Sequence, residues 1–210
     1  MYRTLRGFEN CLTDPILYPE QCFDLISLIE KYNLAVIKQW IETGCDMISF
    51  ADDLGSMRQM LITPELWRKF YKPSYKRYCD LIHEGGAMSW MHSDGAIEEI
   101  IPDLIEVGLD ILDPVQAECV DAKNVARMTK RRLVIWGGFD SHLIAGKSYE
   151  AIRTHVSETI ALFRGFEGGM VGTKSNYLLS SINASLALYH AFRNYQVRGG
   201  DRSKARKIRR

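Results

Sequence analysis

The sequence predicts an α/β chain of parallel strands and outer helices, laid out as part of a (β/α)8 TIM barrel. Three observations lead there. Helix-like and strand-like apolar periods alternate through the chain with short connections, which is the pattern of a parallel sheet. No G-x-G-x-x-G opens a helix after the first strand, so the dinucleotide-binding fold gives way to the barrel. Ionisable residues come directly after each strand, as they do where a barrel gathers its strand ends on one face. Only five strands are legible, so the barrel is expected to be incomplete, holding about five C-terminal β/α units. The sheet would then stay open or be completed by a partner.

The first helix runs from Pro19 to Glu42, where Phe23, Ile26, Ile29, Leu34, Ile37 and Ile41 recur at helical spacing and Gly44 supplies a stop. Asp46 to Phe50 reads as a buried strand. Thr63-Pro64 starts a helix expected to continue through Trp67, Phe70 and Tyr78 to Gly85-Gly86. Ala87 to Met91 is the second strand, Ile97 to Val107 a helix and Leu109 to Leu112 the third strand. Asp121 caps a helix reaching about Lys130, and Leu133 to Trp136 is the fourth strand. Ser148 begins a helix ending near Gly165, Gly169 to Gly172 is a short fifth strand, and a last helix spans about Ile182 to Asn194.

With 210 residues and 46% hydrophobic composition, the chain can bury a core but leaves little room for two domains. One domain over residues 1–195 is expected, followed by a basic, disordered tail over 196–210. Between Arg198 and Arg210 stand seven basic residues and one acid, with no interleaved aromatics; this is a solvated segment rather than a nucleic-acid site. No apolar run is long enough to span a membrane. The first residues lack the apolar segment of a secretory signal, so a cytoplasmic location is expected. Cys11, Cys22, Cys45, Cys79 and Cys119 never form a C-x-x-C pair and read as free thiols.

The candidate site lies in the segments at the C-terminal strand ends: Asp52-Asp53, then His92-Ser93-Asp94-Gly95, Asp113-Pro114-Val115-Gln116, Gly137-Gly138-Phe139-Asp140 and Lys174-Ser175-Asn176. A single carboxylate there is ordinarily a helix cap. Several beside one histidine repel one another unless a metal, a cationic substrate or a proton relieves the charge. His92 and Asp94, two apart at an extended end, can face the same way and chelate one ion or share one proton. Lys174 could neutralise a substrate carboxylate or phosphate.

The runs 51–55 (ADDLG), 62–67 (ITPELW), 92–97 (HSDGAI), 101–108 (IPDLIEVG), 110–116 (DILDPVQ) and 136–140 (WGGFD) together resemble the uroporphyrinogen decarboxylase superfamily, across roughly residues 1–195. That resemblance implies a (β/α)8 barrel and a small-molecule reaction at its top. The superfamily contains the haem-pathway decarboxylase and zinc-dependent methyltransferases that move methyl groups between corrinoid proteins and thiols. Two departures stand out. The zinc enzymes carry His-x-Cys-Gly and a later cysteine, whereas here Asp94 takes the first cysteine's place and no cysteine follows Cys119. The decarboxylase uses an arginine-rich N-terminal segment, which this chain is expected to begin after, and at Asn176 many members have histidine.

The leading expectation is therefore methyl transfer or demethylation of a small molecule. His92, Asp94 and Asp53 would be catalytic, and His92 and Asp94 metal-binding, with zinc the metal. Asp113, Gln116, Asp140, Lys174 and Asn176 would contact substrate, and a corrinoid protein and a second copy of the chain are the partners considered. The alternatives are a metal-free porphyrinogen decarboxylase and an inactive fragment or interaction module.

Overall fold

The computed structural model describes residues 2–139, 147–172 and 182–199. Five strands, β1 (Met47–Ala51), β2 (Met88–His92), β3 (Ile111–Val115), β4 (Val134–Gly137) and β5 (Met170–Val171), form one sheet in the order β1-β2-β3-β4-β5. Every pairing is parallel. Parallel strands joined by right-handed crossovers, with no reversal of order, place all their helices on one face. That curls the sheet toward a barrel instead of winding it doubly.

Before the first strand come α1 (Tyr2–Arg6), α2 (Phe8–Leu17) and α3 (Pro19–Glu42). After it come α4 (Pro64–Phe70), α5 (Lys72–Glu84), α6 (Ile101–Glu106), α7 (Ala122–Thr129), α8 (Tyr149–Gly165) and α9 (Ile182–Gly199). The predicted starts are held by side-chain caps. Thr63 accepts from the Leu66 amide at 3.3 Å, Asp121 from Lys123 and Asn124 at 2.8 and 3.2 Å, and Ser148 from Ala151 at 3.3 Å.

Three expectations change. The helix from Pro64 to Gly85 is two helices broken at Tyr71, because Pro73 has no N–H to continue the ladder and sits instead at the second position of α5. The segment after Ile97 opens as a 3-10 turn, Glu98–Ile100, before α6, whose own second residue is Pro102. Third, α9 runs to Gly199 instead of ending near Asn194; residues from 200 onward lie outside those described. Helices α1 and α2 were not anticipated. They are short, Pro15 lies inside α2, and Tyr2 and Arg6 of α1 are tied to Asp14 of α2 by side-chain hydrogen bonds that no apolar period announces.

The core lies between sheet and helices. Along β2, Ser89 and Met91 are fully buried under the helices, while Trp90 and His92 alternate onto the other face, where Trp90 stacks on Trp136 at 4.6 Å. Trp67, Ile82, Leu104, Leu112 and Ile135 fill the helix side with no appreciable exposure. The outer edge of β1 pairs with no strand among the described residues, and a groove of about 270 Å³ separates it from α3. Ile48 is buried under the helices, and the open interior face shows Ser49 and Met88, the latter 48% exposed.

Candidate functional site

His92 ends β2, in register with Asp113 of β3 and Ala51 of β1. Its Nδ1 stands 3.2 Å from Asp113 Oδ2. This leaves Nε2 facing two more carboxylates, Asp53 Oδ1 at 3.7 Å and Asp94 Oδ2 at 3.9 Å. Those separations are too long for hydrogen bonds. Asp53, His92 and Asp94 each offer a donor atom, and the three atoms lie within 4.8 Å of one another. The donor set, one imidazole and two carboxylates, suits a zinc ion with one position left open, and it is harder than a thiolate site. Burial pushes the Asp113 carboxyl up from its ordinary range, while the contact with His92 pulls it back down.

The loops after β1 and β2 are laced together, and that fixes the two aspartates. Asp52 N donates to His92 O at 3.1 Å, Gly55 N to Asp94 O at 3.1 Å, Ala96 N to Ser56 O at 2.8 Å, and Leu54 N to Ser93 Oγ at 3.1 Å. Gly55 and Gly95 make the crossing possible. Gly95 has φ +86°, and a Cβ on it would lie 2.4 Å from the Gly55 carbonyl carbon. Gln116 braces the same crossing, its Oε1 accepting from Gly95 N at 2.6 Å.

Behind the site, half-buried Asp52 accepts a hydrogen bond from the hydroxyl of buried Tyr75 at 2.8 Å. Burial raises its pKa, an effect that the Tyr75 hydrogen bond opposes and the neighbouring Asp53 charge reinforces. From the N-terminal side, Arg3 of α1 reaches Asp53 Oδ2 at 3.1 Å. Helix α1 is held by Asp14 of α2, which accepts from Tyr2 at 2.9 Å and from Arg6 at 2.7 and 3.1 Å.

The structure thus brings Asp53, His92, Asp94 and Asp113 to one end of the sheet, with Gln116 beside them as a loop brace. Asp140, Lys174 and Asn176 lie outside the described residues. Sequence reasoning missed the roles of Arg3, Asp52, Gly55 and Gly95. The Gly55 and Gly95 positions, each just past a strand-end aspartate, carried a usable signal; Asp52 stood out as a strand-end carboxylate but its partner Tyr75, 23 residues away, did not, and Arg3, 50 residues from its partner, carried none. His83, at the other end of the strands, is tied to Asp110 at 2.7 Å.

No curated protein matches the chain. Among solved structures it is similar to a methyltransferase from Methanosarcina mazei, with a TM-score of 0.75 and 16% identity over 93% of this chain and 56% of that one. It is also similar to dihydropteroate synthase from Anaplasma phagocytophilum, solved with bound 6-hydroxymethylpterin-monophosphate, with a TM-score of 0.56 and 13% identity over 82% of this chain and 69% of that one. The chain therefore spans about half the length of the methyltransferase it matches. At these identities the likeness is one of fold. The model of the uroporphyrinogen decarboxylase (URO-D) family matches residues 1–181, and the chain belongs to that family.

Proposed function

We propose that this chain carries the reaction centre of a metal-dependent enzyme that transfers a methyl group to or from a small molecule. The observation that carries the reading is the orientation of His92, with Nδ1 on Asp113 and Nε2 turned toward Asp53 and Asp94. A carboxylate that holds one ring nitrogen fixes the other as a ligand and raises its basicity. Asp53, His92 and Asp94 would hold the ion. When bound, it would supply Lewis acidity at its open position, lowering the pKa of a bound thiol or water. The chain's own residues do the rest. Asp113 sets the ring, Arg3 and the crossing at Gly55 and Gly95 set the two carboxylates, and Asp52 offers Tyr75 a fixed acceptor behind the site. The likeness to a solved methyltransferase supports methyl transfer over decarboxylation.

The test is a methyl-transfer assay on the zinc-loaded chain with methylcobalamin as donor and a panel of small thiols and amines as acceptors. Zinc-dependent loss of methylcobalamin is expected, falling at least about 100-fold in His92→Ala as expected for loss of a group acting in the transition state. No transfer to any acceptor by a chain that has bound zinc would overturn the reading.

A further inference from the structure

Beside the His92 cluster lies a half-open cavity of about 210 Å³ lined by α1, α2, Tyr71 and the loop after β1. Leu12, Leu54, Leu61, Ile62 and Tyr71 give it apolar walls, and the Arg3–Asp53 pair belongs to its polar lining. We propose that this cavity is the substrate chamber, and that it takes a small molecule with a compact apolar body and a single anionic head group, with Arg3 as the head group's counter-ion. The inference rests on reading the His92 cluster as the reaction centre.

Size sets the first limit. Sites for drug-sized ligands run to roughly 300–1,000 Å³, so this chamber suits something smaller, and a tetrapyrrole is far too large for it. Charge sets the second. Asp53 divides its two oxygens, Oδ2 accepting from Arg3 and Oδ1 facing His92 Nε2. A cation held by Asp53, His92 and Asp94 takes up the Asp53 charge, which leaves the guanidinium beside the cavity without its full counter-charge. A partly desolvated cation then favours an incoming anion. Arginine has five N–H donors in a planar fork, and the contact with Asp53 uses one of them. Position sets the third limit. Because Asp53 belongs to both the cavity and the His92 cluster, a ligand anchored on Arg3 lies next to the reaction centre.

The experiment is calorimetric titration of the zinc-loaded chain with butyrate, butan-1-ol and butylamine, in the parent chain and in Arg3→Met and Leu12→Trp. Butyrate should bind at least about tenfold more tightly than the alcohol or the amine. Arg3→Met, which keeps the aliphatic stem of a side chain that is half exposed, should abolish that preference, and Leu12→Trp should weaken all three probes by filling the cavity. Equal binding of the three probes by the parent chain, or a butyrate preference that survives both substitutions, overturns the proposal. A parallel zinc titration keeps the two readings apart. If zinc does not bind, the metal reading falls, and an Arg3-dependent butyrate preference that is nonetheless present leaves the anion site standing but overturns the metal-driven release of Arg3 from Asp53. If zinc binds without the preference, only the chamber falls.

Discussion

Asp52 and Asp53 are neighbours with opposite surroundings, and the difference decides what each can do. Both are half-buried, but Asp53 lies between Arg3 and His92, whereas Asp52 accepts from the buried Tyr75 hydroxyl. Burial raises the Asp52 pKa, so the folded chain keeps this proton to higher pH than the unfolded chain does. Its contribution to stability is then fully present below the unfolded value near 3.8 and is lost as pH rises through the raised folded value. Asp52→Asn keeps an acceptor for Tyr75 and removes the titration. Its melting temperature should therefore gain on the parent chain as pH rises above the unfolded value near 3.8, and a pH-independent difference would contradict this. Gly95→Ala should be far more damaging, because a Cβ there meets the Gly55 backbone at φ +86°. Zinc affinity should fall at least tenfold in that variant as Asp94 is displaced. His92, Asp94, Asp52 and Asp53 were legible because they stand at the ends of apolar runs, whereas the contacts of Asp52 with Tyr75 and of Arg3 with Asp53 are supplied only by the folded chain.

At the scale of elements, local signals sufficed wherever the structure is locally determined. Capped starts at Thr63, Asp121 and Ser148 and the long period of α3 gave helices where they stand. The breaks at Pro73 and Pro102 were missed because apolar spacing carries through a proline that the backbone ladder cannot pass. Helices α1 and α2 are tied together by one buried carboxylate, Asp14, which is 3% exposed and whose pKa is lowered by hydrogen bonds from Arg6 and Tyr2 against the opposing effect of burial. Asp14→Ala leaves the Tyr2 hydroxyl without its acceptor, a loss of about 1–3 kcal/mol that falls first on this segment. Limited proteolysis should cut within residues 2–17 in the variant while the remainder stays resistant. Cleavage no faster than in the parent chain would show that other contacts hold the two helices.

For the whole molecule, the alternation of periods announced the parallel sheet and its strand order. What it could not show is which faces are left uncovered. The edge of β1 is open beside α3, and Leu28, Tyr32 and Trp40 of α3 are each more than half exposed. An open parallel edge next to an apolar helix stripe favours association. The chain by itself should form concentration-dependent assemblies in sedimentation experiments, and the double variant Tyr32→Lys, Trp40→Lys should shift them toward monomer. A monodisperse parent monomer that unfolds cooperatively would contradict this. No helix among the described residues is long and apolar enough to cross a membrane.

The proposed metal site joins Asp53, His92 and Asp94, with Asp113 holding the ring of His92. Titration of the purified chain with zinc, monitored by calorimetry alongside circular dichroism, tests it most directly. One zinc per chain is expected, with affinity reduced at least about tenfold in each of His92→Ala, Asp53→Asn and Asp94→Asn, and less in Asp113→Asn, while the folded signal is kept. Absence of stoichiometric binding, or binding that all four variants retain unchanged, would contradict it.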